Sequence, residues 1–138
     1  MACSERTNSK KDDAPQMSGQ NLRHSYPQVI IKIAWERPFY DPEANQLLQM
    51  IKKTKSIRAA CALMGMSYTK GRSILTQIER QLGYPAAKSQ QGGSTGGYSV
   101  LTKGGEELLS SYSAFHAEAT QYIEDLFDRY FVKGDSRS

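Results

Sequence analysis

The sequence contains few of the residues that disulfide-rich, metal-binding or membrane proteins need. It has two cysteines, Cys3 and Cys61, which lie far apart, so the sequence does not support a disulfide framework and we expect a reducing compartment. His24 and His116 are isolated, and no cysteine or carboxylate cluster has metal-ligand spacing. No apolar run approaches the ~20 residues of a membrane span. We therefore expect no metal, no cofactor and no membrane partner.

Residues 1–25 are polar and mixed in charge, with almost no large apolar side chain. Such a composition cannot bury enough apolar surface to fold, so it predicts a disordered N-terminal tail. The segment also lacks the apolar core of a signal peptide, and we expect a cytoplasmic protein.

Charge is distributed unevenly along the chain. Residues 26–104 hold eleven basic and four acidic residues, whereas residues 105–138 hold three basic and seven acidic ones. A basic body attracts phosphate groups and releases counterions when it binds nucleic acid. Many basic domains bind no acidic partner, so this pattern is compatible with nucleic-acid binding without requiring it.

Apolar spacing and capping residues predict a mainly helical chain. Asp41 and Pro42 are typical of a helix start, because Asp accepts a backbone hydrogen bond and Pro fits the first helical turn. Gly65 and Gly83 are typical of helix ends, since glycine tolerates positive φ. The predicted elements are a strand at Gln28–Ile33, helices at Pro42–Thr54, Ser56–Leu63 and Ser67–Leu82, a hairpin of Ala86–Ser89 with Tyr98–Leu101, and a last helix after Thr102.

The most informative segment runs from Ser56 to Leu101. A short alanine-rich helix, a glycine turn, a serine-capped helix and a glycine-rich hairpin follow one another, which is the order of a winged helix-turn-helix. The expected fold class is therefore mainly α with a small β wing, a winged helix-turn-helix followed by a long C-terminal dimerisation helix.

The second helix of this unit is predicted to read DNA. Burying Ile74, Ile78 and Leu82 turns hydroxyl and cationic side chains outward near the helix start, where a recognition helix enters the major groove. The alternative is an ordinary solvated helix face. The predicted DNA-binding residues on this helix are Ser67, Tyr68, Thr69, Lys70, Arg72, Ser73 and Thr76.

The hairpin tip, Gln91–Gly97, contains four glycines. It is not a nucleotide-binding P-loop, because no lysine follows the last glycine. A wing along the DNA backbone fits it better, with Lys88, Gln91 and Thr95 near phosphates; a solvent loop is the alternative.

The last helix has apolar residues at alternating steps of three and four, a heptad pattern that predicts pairing with a second copy. The residues predicted to form this dimer contact are Leu108, Tyr112, Phe115, Tyr122 and Leu126. Catalysis has no support in the sequence. Cys61 lies among alanines as a buried thiol, and Glu106 and Glu107 suit the positive start of a helix. We expect no enzyme and no catalytic residue.

The segment from 27 to 116 resembles the DNA-binding domain of ModE-type molybdate-responsive regulators, which is similar to the LysR-type helix-turn-helix. The resemblance is carried by Ser-Ile-Arg-Ala-Ala at Ser56–Ala60, by Leu63–Tyr68, by the glycine-rich Gly92–Gly97, and by Leu101–Glu106. It implies a dimer with a recognition helix at Ser67–Leu82, a wing near Gln90–Tyr98, and transcriptional control.

The resemblance also sets limits on function. Full-length members carry molybdate-binding domains after the DNA-binding part, and only residues 105–138 follow here, so molybdate sensing is not expected and any other small-molecule effector stays open. Relatives often continue after Ser67-Tyr68 with two arginines, alanine and tryptophan, whereas this chain has Thr69–Arg72, so no operator sequence carries over.

These patterns lead to one functional interpretation and one alternative. We expect a homodimeric regulator that binds near-palindromic double-stranded DNA; a winged-helix protein–protein interaction module is the alternative. The expected organisation is a tail over residues 1–25, the DNA-binding domain over 26–104, the dimerisation helix over 105–132 and a tail over 133–138.

Overall fold

A computed structural model describes residues 22–91 and 97–132. The described chain is mainly helical, with two small antiparallel strand pairs and a long C-terminal helix, as the sequence predicts. The elements, in chain order, are β1 (Ile33–Ala34), β2 (Pro38–Tyr40), α1 (Pro42–Thr54), α2 (Ile57–Leu63), α3 (Tyr68–Leu82), β3 (Ala87–Gln90), β4 (Tyr98–Leu101), α4 (Lys103–Phe127) and a π-helical turn (Asp128–Val132).

Side-chain caps set the starts of the first three helices. Asp41, Ser56 and Ser67 each accept a hydrogen bond from the backbone N–H three residues later, at 2.9 to 3.0 Å. Such caps satisfy one of the four N–H groups that a helix start leaves without an intrahelical partner. At the other end, α1 and α3 stop at left-handed residues, Lys55 and Gly83. The helix predicted over Pro42–Thr54 has those bounds in the structure.

One apolar core joins α1, α2, α3 and the start of α4. Leu47, Leu48 and Ile51 of α1 are fully buried, and Ile78 of α3 lies against the same cluster. Burying a side chain of this kind stabilises the fold by roughly 1.5–3 kcal/mol. The amphipathic face of α1 therefore anchors the two following helices.

Gly71 allows α2 and α3 to cross closely. It is buried in α3, and a Cβ built on it would overlap the Sγ of Cys61 in α2. The thiol is itself fully buried. Glycine in a helix interior costs ~1 kcal/mol against alanine, and close helix packing explains its presence here.

The β3–β4 hairpin is fixed to the helices by backbone hydrogen bonds. Its register pairs Ala87 with Leu101 and Gln90 with Tyr98. Ser99 N–H donates to the carbonyl of Lys55 at 2.9 Å, which ties β4 to the end of α1. The base of the hairpin thus has a defined position beside the helices.

Thr102 begins α4 and links it to the chain entering the hairpin. Its hydroxyl donates to Pro85 O at 2.7 Å and accepts from Gly105 N–H at 3.0 Å. A Cβ on Gly105 would overlap the carbonyl oxygen of Ala86, so this approach requires glycine. The sequence predicts a last helix after Thr102, and α4 begins at the next residue.

The N-terminal strand differs from its prediction. Only Ile33–Ala34 pairs with another strand, whereas the sequence predicts a strand over Gln28–Ile33. Within the unit formed by residues 29–121, side chains of α4 bind this extended segment. Tyr112 OH donates to Ile31 O at 2.7 Å, and His116 Nε2 lies 3.2 Å from Val29 O. Backbone groups that a strand partner would take are thus satisfied by helix side chains.

A second compact unit contains the described residues 22–28 and 122–132. An apolar groove of about 340 Å³ lies within it, and the rings of Phe127 and Phe131 stand 4.8 Å apart. The residues around the groove are Pro27, Ile123, Leu126, Phe127, Tyr130 and Phe131.

Candidate nucleic-acid interface

α3 has one buried and one exposed face. Gly71, Leu75 and Ile78 point into the core, as helical spacing requires. The predicted DNA-binding side chains of this helix are all exposed, and they are Tyr68, Thr69, Lys70, Arg72, Ser73 and Thr76. Ser67 precedes them as the helix cap, with its hydroxyl accepting from Lys70 N–H. The first half of α3 thus presents hydroxyls and cations to solvent.

Two side chains of this face contact neighbouring helices. Lys70 Nζ lies 3.1 Å from a carboxylate oxygen of Glu43, in the first turn of α1. The guanidinium carbon of Arg58 lies 4.1 Å from the centroid of the Tyr68 ring, which is a cation–π contact. Lys70 and Tyr68 are therefore partly held in place, whereas Arg72 and Ser73 are simply exposed.

Arg58 is a residue that the sequence prediction missed. It is the second residue of α2 and ten positions before Tyr68, a separation with no helical or strand periodicity. Only the turn between α2 and α3 brings the two together. The helix-turn-helix order was the available signal, because that motif places the start of its first helix near the start of the second.

A cleft of about 230 Å³ lies between the starts of α2 and α3 on one side and the hairpin on the other. Arg58 and Tyr68 line its helical side, and Ser89 and Gln91 belong to its hairpin side. No carboxylate is among the described residues that line the cleft, so its charge is positive.

The predicted wing residues are described in part. Lys88 and Gln91 are exposed, on β3 and immediately after it. Thr95 lies outside the described residues, as does the tip from 92 to 96. Across the cleft, the described part of the hairpin faces Tyr68 at the start of α3.

The predicted dimer residues of α4 differ in exposure. Phe115 is 54% exposed and Tyr122 is 67% exposed. Leu108 and Leu126 are partly buried, and Tyr112 is 3% exposed. The Tyr112 ring packs edge-on against Tyr40, so it belongs to the core of its own chain. Spacing alone did not separate it from the outer positions.

Metal-ligand clusters and membrane-spanning helices are absent from the described residues. Residues 22–91 and 97–132 contain no cluster of three or more His, Cys, Asp or Glu side chains that could hold a metal ion. Within the same ranges, no helix combines the length and apolar character needed to cross a bilayer.

Comparison with known proteins finds a relative of part of the chain. No description of a protein family matches the chain. The molybdenum-pterin-binding protein MopB of Rhodobacter capsulatus is 37% identical over 81 residues. The aligned segment covers 59% of this chain and 30% of MopB, so the chain spans less than a third of that protein. Over this segment the chain is a distant homologue of MopB.

Proposed function

We propose that this chain is a DNA-binding transcriptional regulator in which α2, α3 and the β3–β4 hairpin act as a winged helix-turn-helix. The observation that carries the proposal is the exposed face of α3, which holds Lys70, Arg72 and four hydroxyl side chains opposite a buried apolar face. Hydroxyls and cations at a helix start are the groups that hydrogen-bond phosphates and base edges. The relationship to MopB is compatible with a regulator-related role.

The shape of the unit supports the same function. A recognition helix must project beyond its supporting helix to enter a major groove about 12 Å wide. Gly71 brings α2 against the inner side of α3, and the side chains from Thr69 to Thr76 on the outer side stay exposed. The hairpin follows directly, where a wing would meet the adjacent backbone.

We propose that the regulator is a homodimer that binds a near-palindromic site. Phe115 and Tyr122 expose large apolar surface on α4, and the groove around Phe127 and Phe131 is apolar. A second copy would cover such surface through a two-fold interface. Two recognition helices would then reach major grooves about 34 Å apart.

We propose that the protein binds DNA in the cytoplasm and catalyses no reaction. The name of MopB refers to molybdenum-pterin binding by that protein, and the present chain spans 30% of its length. We therefore do not transfer molybdenum binding to this chain, and we assign DNA binding to α3 and the hairpin.

Fluorescence anisotropy with a labelled random-sequence duplex at several salt concentrations tests the proposal. The wild type should bind at low salt and weaken steeply as salt rises. Arg72→Ala should lower the slope of log affinity against log salt by about 0.9 per protomer. Arg80→Ala, in the last turn of the same helix, is the matched control and should leave the slope unchanged.

The outcomes separate the two candidate functions. Absence of duplex binding by a folded wild type would reject the DNA-binding function. An interaction module would then be favoured, because the exposed Tyr130 and Phe131 lie at an acidic end of the chain. Equal slopes for Arg72→Ala and Arg80→Ala would show that the exposed face of α3 is not the contact.

A further inference from the structure

The cleft between the two helix starts and the hairpin has the features of an anion site. Its volume of about 230 Å³ holds a group the size of a phosphate. Arg58 supplies a positive charge, and the described lining contains no negative one. The other described lining residues are mostly hydroxyls and amides, and they are Ser56, Ile57, Tyr68, Ser89, Gln90, Gln91, Gly97, Tyr98 and Ser99.

Arg58 is available to an outside anion. Among the described residues, ion pairs join Lys52 to Glu106 and Lys70 to Glu43, and neither pair involves Arg58. Its side chain is exposed. An arginine without a carboxylate partner keeps its N–H donors for a ligand or for water.

Tyr68 holds the guanidinium without using its donors. The guanidinium carbon lies 4.1 Å from the ring centroid, and the ring is 37% exposed. A cation–π contact is electrostatic and uses no hydrogen-bond acceptor, so it does not take up the N–H groups of Arg58 as a hydrogen bond would. These groups form a planar fork that matches the geometry of phosphate oxygens. Because Tyr68 already restrains Arg58, the arginine loses less rotational freedom when it binds an anion.

The far wall of the cleft is fixed by backbone contacts. Ser99 N–H donates to Lys55 O, and the β3–β4 register pairs Gln90 with Tyr98. A Cβ on Gly97 would lie 2.6 Å from Gln90 O, so this end of β4 follows β3 closely. The strand pairing fixes Ser89 in this wall, and Ser89 and Gln91 both line the cleft with polar groups that can donate to an anion.

We propose that this cleft receives a backbone phosphate of duplex DNA, with Arg58 as the charged contact and Tyr68 as the residue that positions it. The inference rests on the proposed function and extends it to a contact outside the α3 face. In the sequence prediction Tyr68 contacts DNA itself; in this proposal its main role is to hold Arg58. The hairpin then acts together with α2 on one phosphate.

Salt-dependent duplex binding of matched variants tests this contact. Arg58→Gln should weaken binding about tenfold, as expected for a lost hydrogen bond to a charged group. It should also lower the salt slope by about 0.9 per protomer. Arg80→Gln removes the same charge about 18 Å from Tyr68 along α3 and serves as the control.

Variants of Tyr68 test the positioning role. Tyr68→Phe keeps the aromatic face that holds Arg58 and loses only the hydroxyl, so it should weaken binding much less than Tyr68→Leu does. Tyr68→Leu removes the face while leaving the net charge unchanged, so affinity should fall severalfold toward that of Arg58→Gln. In the Arg58→Gln background, Tyr68→Leu should have little further effect. Far-ultraviolet circular dichroism and urea unfolding check that each variant is folded.

The two proposals fail in different ways. If the wild type does not bind duplex, both are rejected. If the wild type binds and Arg72→Ala lowers the salt slope, but Arg58→Gln matches Arg80→Gln, then DNA binding stands and the phosphate contact in the cleft is rejected. If Tyr68→Leu weakens binding equally with and without Arg58, the positioning role is rejected and Tyr68 contacts the duplex itself.

Discussion

Substituting alanine for Gly71 tests how closely α2 and α3 cross. The new Cβ would overlap the buried Sγ of Cys61. Inserting a methyl group into a packed core costs ~1–3 kcal/mol, and the direct overlap favours the upper end. Alanine regains ~1 kcal/mol of helix propensity. We therefore expect Gly71→Ala to lower the free energy of unfolding by ~2 kcal/mol.

A second substitution removes the cause of that loss. Cys61→Ala alone should cost ~1 kcal/mol, because one buried heavy atom is lost. In the double variant the methyl group introduced at position 71 occupies the space that Sγ leaves. The double variant should therefore be within ~1 kcal/mol of the wild type, with a favourable coupling of ~2 kcal/mol between the two sites.

Urea unfolding followed by circular dichroism measures these differences. A loss of ~2 kcal/mol should lower the midpoint by roughly 1 M, since small proteins have slopes of about 1–3 kcal/mol per molar urea. If Gly71→Ala is more stable than the wild type, helix propensity alone governs the site and the close crossing is refuted. A double variant no better than Gly71→Ala would show that Cys61 is not the obstacle.

Three further predictions concern other parts of the fold. Gly105→Ala should cost more than Gly71→Ala in the urea assay, because its Cβ meets the backbone oxygen of Ala86, which cannot change rotamer. Ser67→Ala should cost ~1 kcal/mol, since it removes the cap of α3. Burial raises the pKa of Tyr40 above its ordinary value, with Tyr112 adding to it, so stability should fall as pH rises above ~10. Tyr40→Phe should flatten that alkaline loss in pH-dependent urea unfolding.

Each of these predictions has a control in the chain. Gly104→Ala meets the Tyr84 ring, a side chain that can turn aside, so it should cost less than the change at Gly105. Thr69→Ala changes a hydroxyl beside the cap and should have little effect on stability. Tyr122→Phe alters an exposed phenol and should leave the alkaline loss in place. Equal effects of a variant and its control would contradict the corresponding reasoning.

Local chemistry made much of the fold predictable from sequence. The caps at Asp41, Ser56 and Ser67 act within four residues of their partners, and apolar spacing identified the inner face of α3. The short length of the paired strand at Ile33–Ala34 could not be predicted from local sequence. Residues such as Ile31 give their backbone carbonyls to side chains of α4, and no local pattern encodes a partner 81 positions away.

The candidate site likewise has some features that local sequence predicts and others that depend on tertiary packing. Exposure of the α3 face follows from helical periodicity, so the hydroxyl and cationic set was predictable. The Arg58–Tyr68 contact and the Lys70–Glu43 pair depend on how three helices meet. The burial of Tyr112 likewise follows from Tyr40 packing beside it, whereas heptad spacing alone gave it an outward role.

The pair formed by Lys70 and Glu43 has a consequence for a duplex bound as proposed. Before a duplex binds, Lys70 is already paired with the Glu43 carboxylate, 3.1 Å away. A DNA phosphate that binds Lys70 must therefore replace this carboxylate. The electrostatic free energy gained when a phosphate binds Lys70 is therefore smaller than the gain at Arg72. Glu43→Gln removes the negative charge that pairs with Lys70. We expect this variant to bind duplex DNA of any sequence more tightly, so Glu43 would limit sequence-independent binding by the wild type.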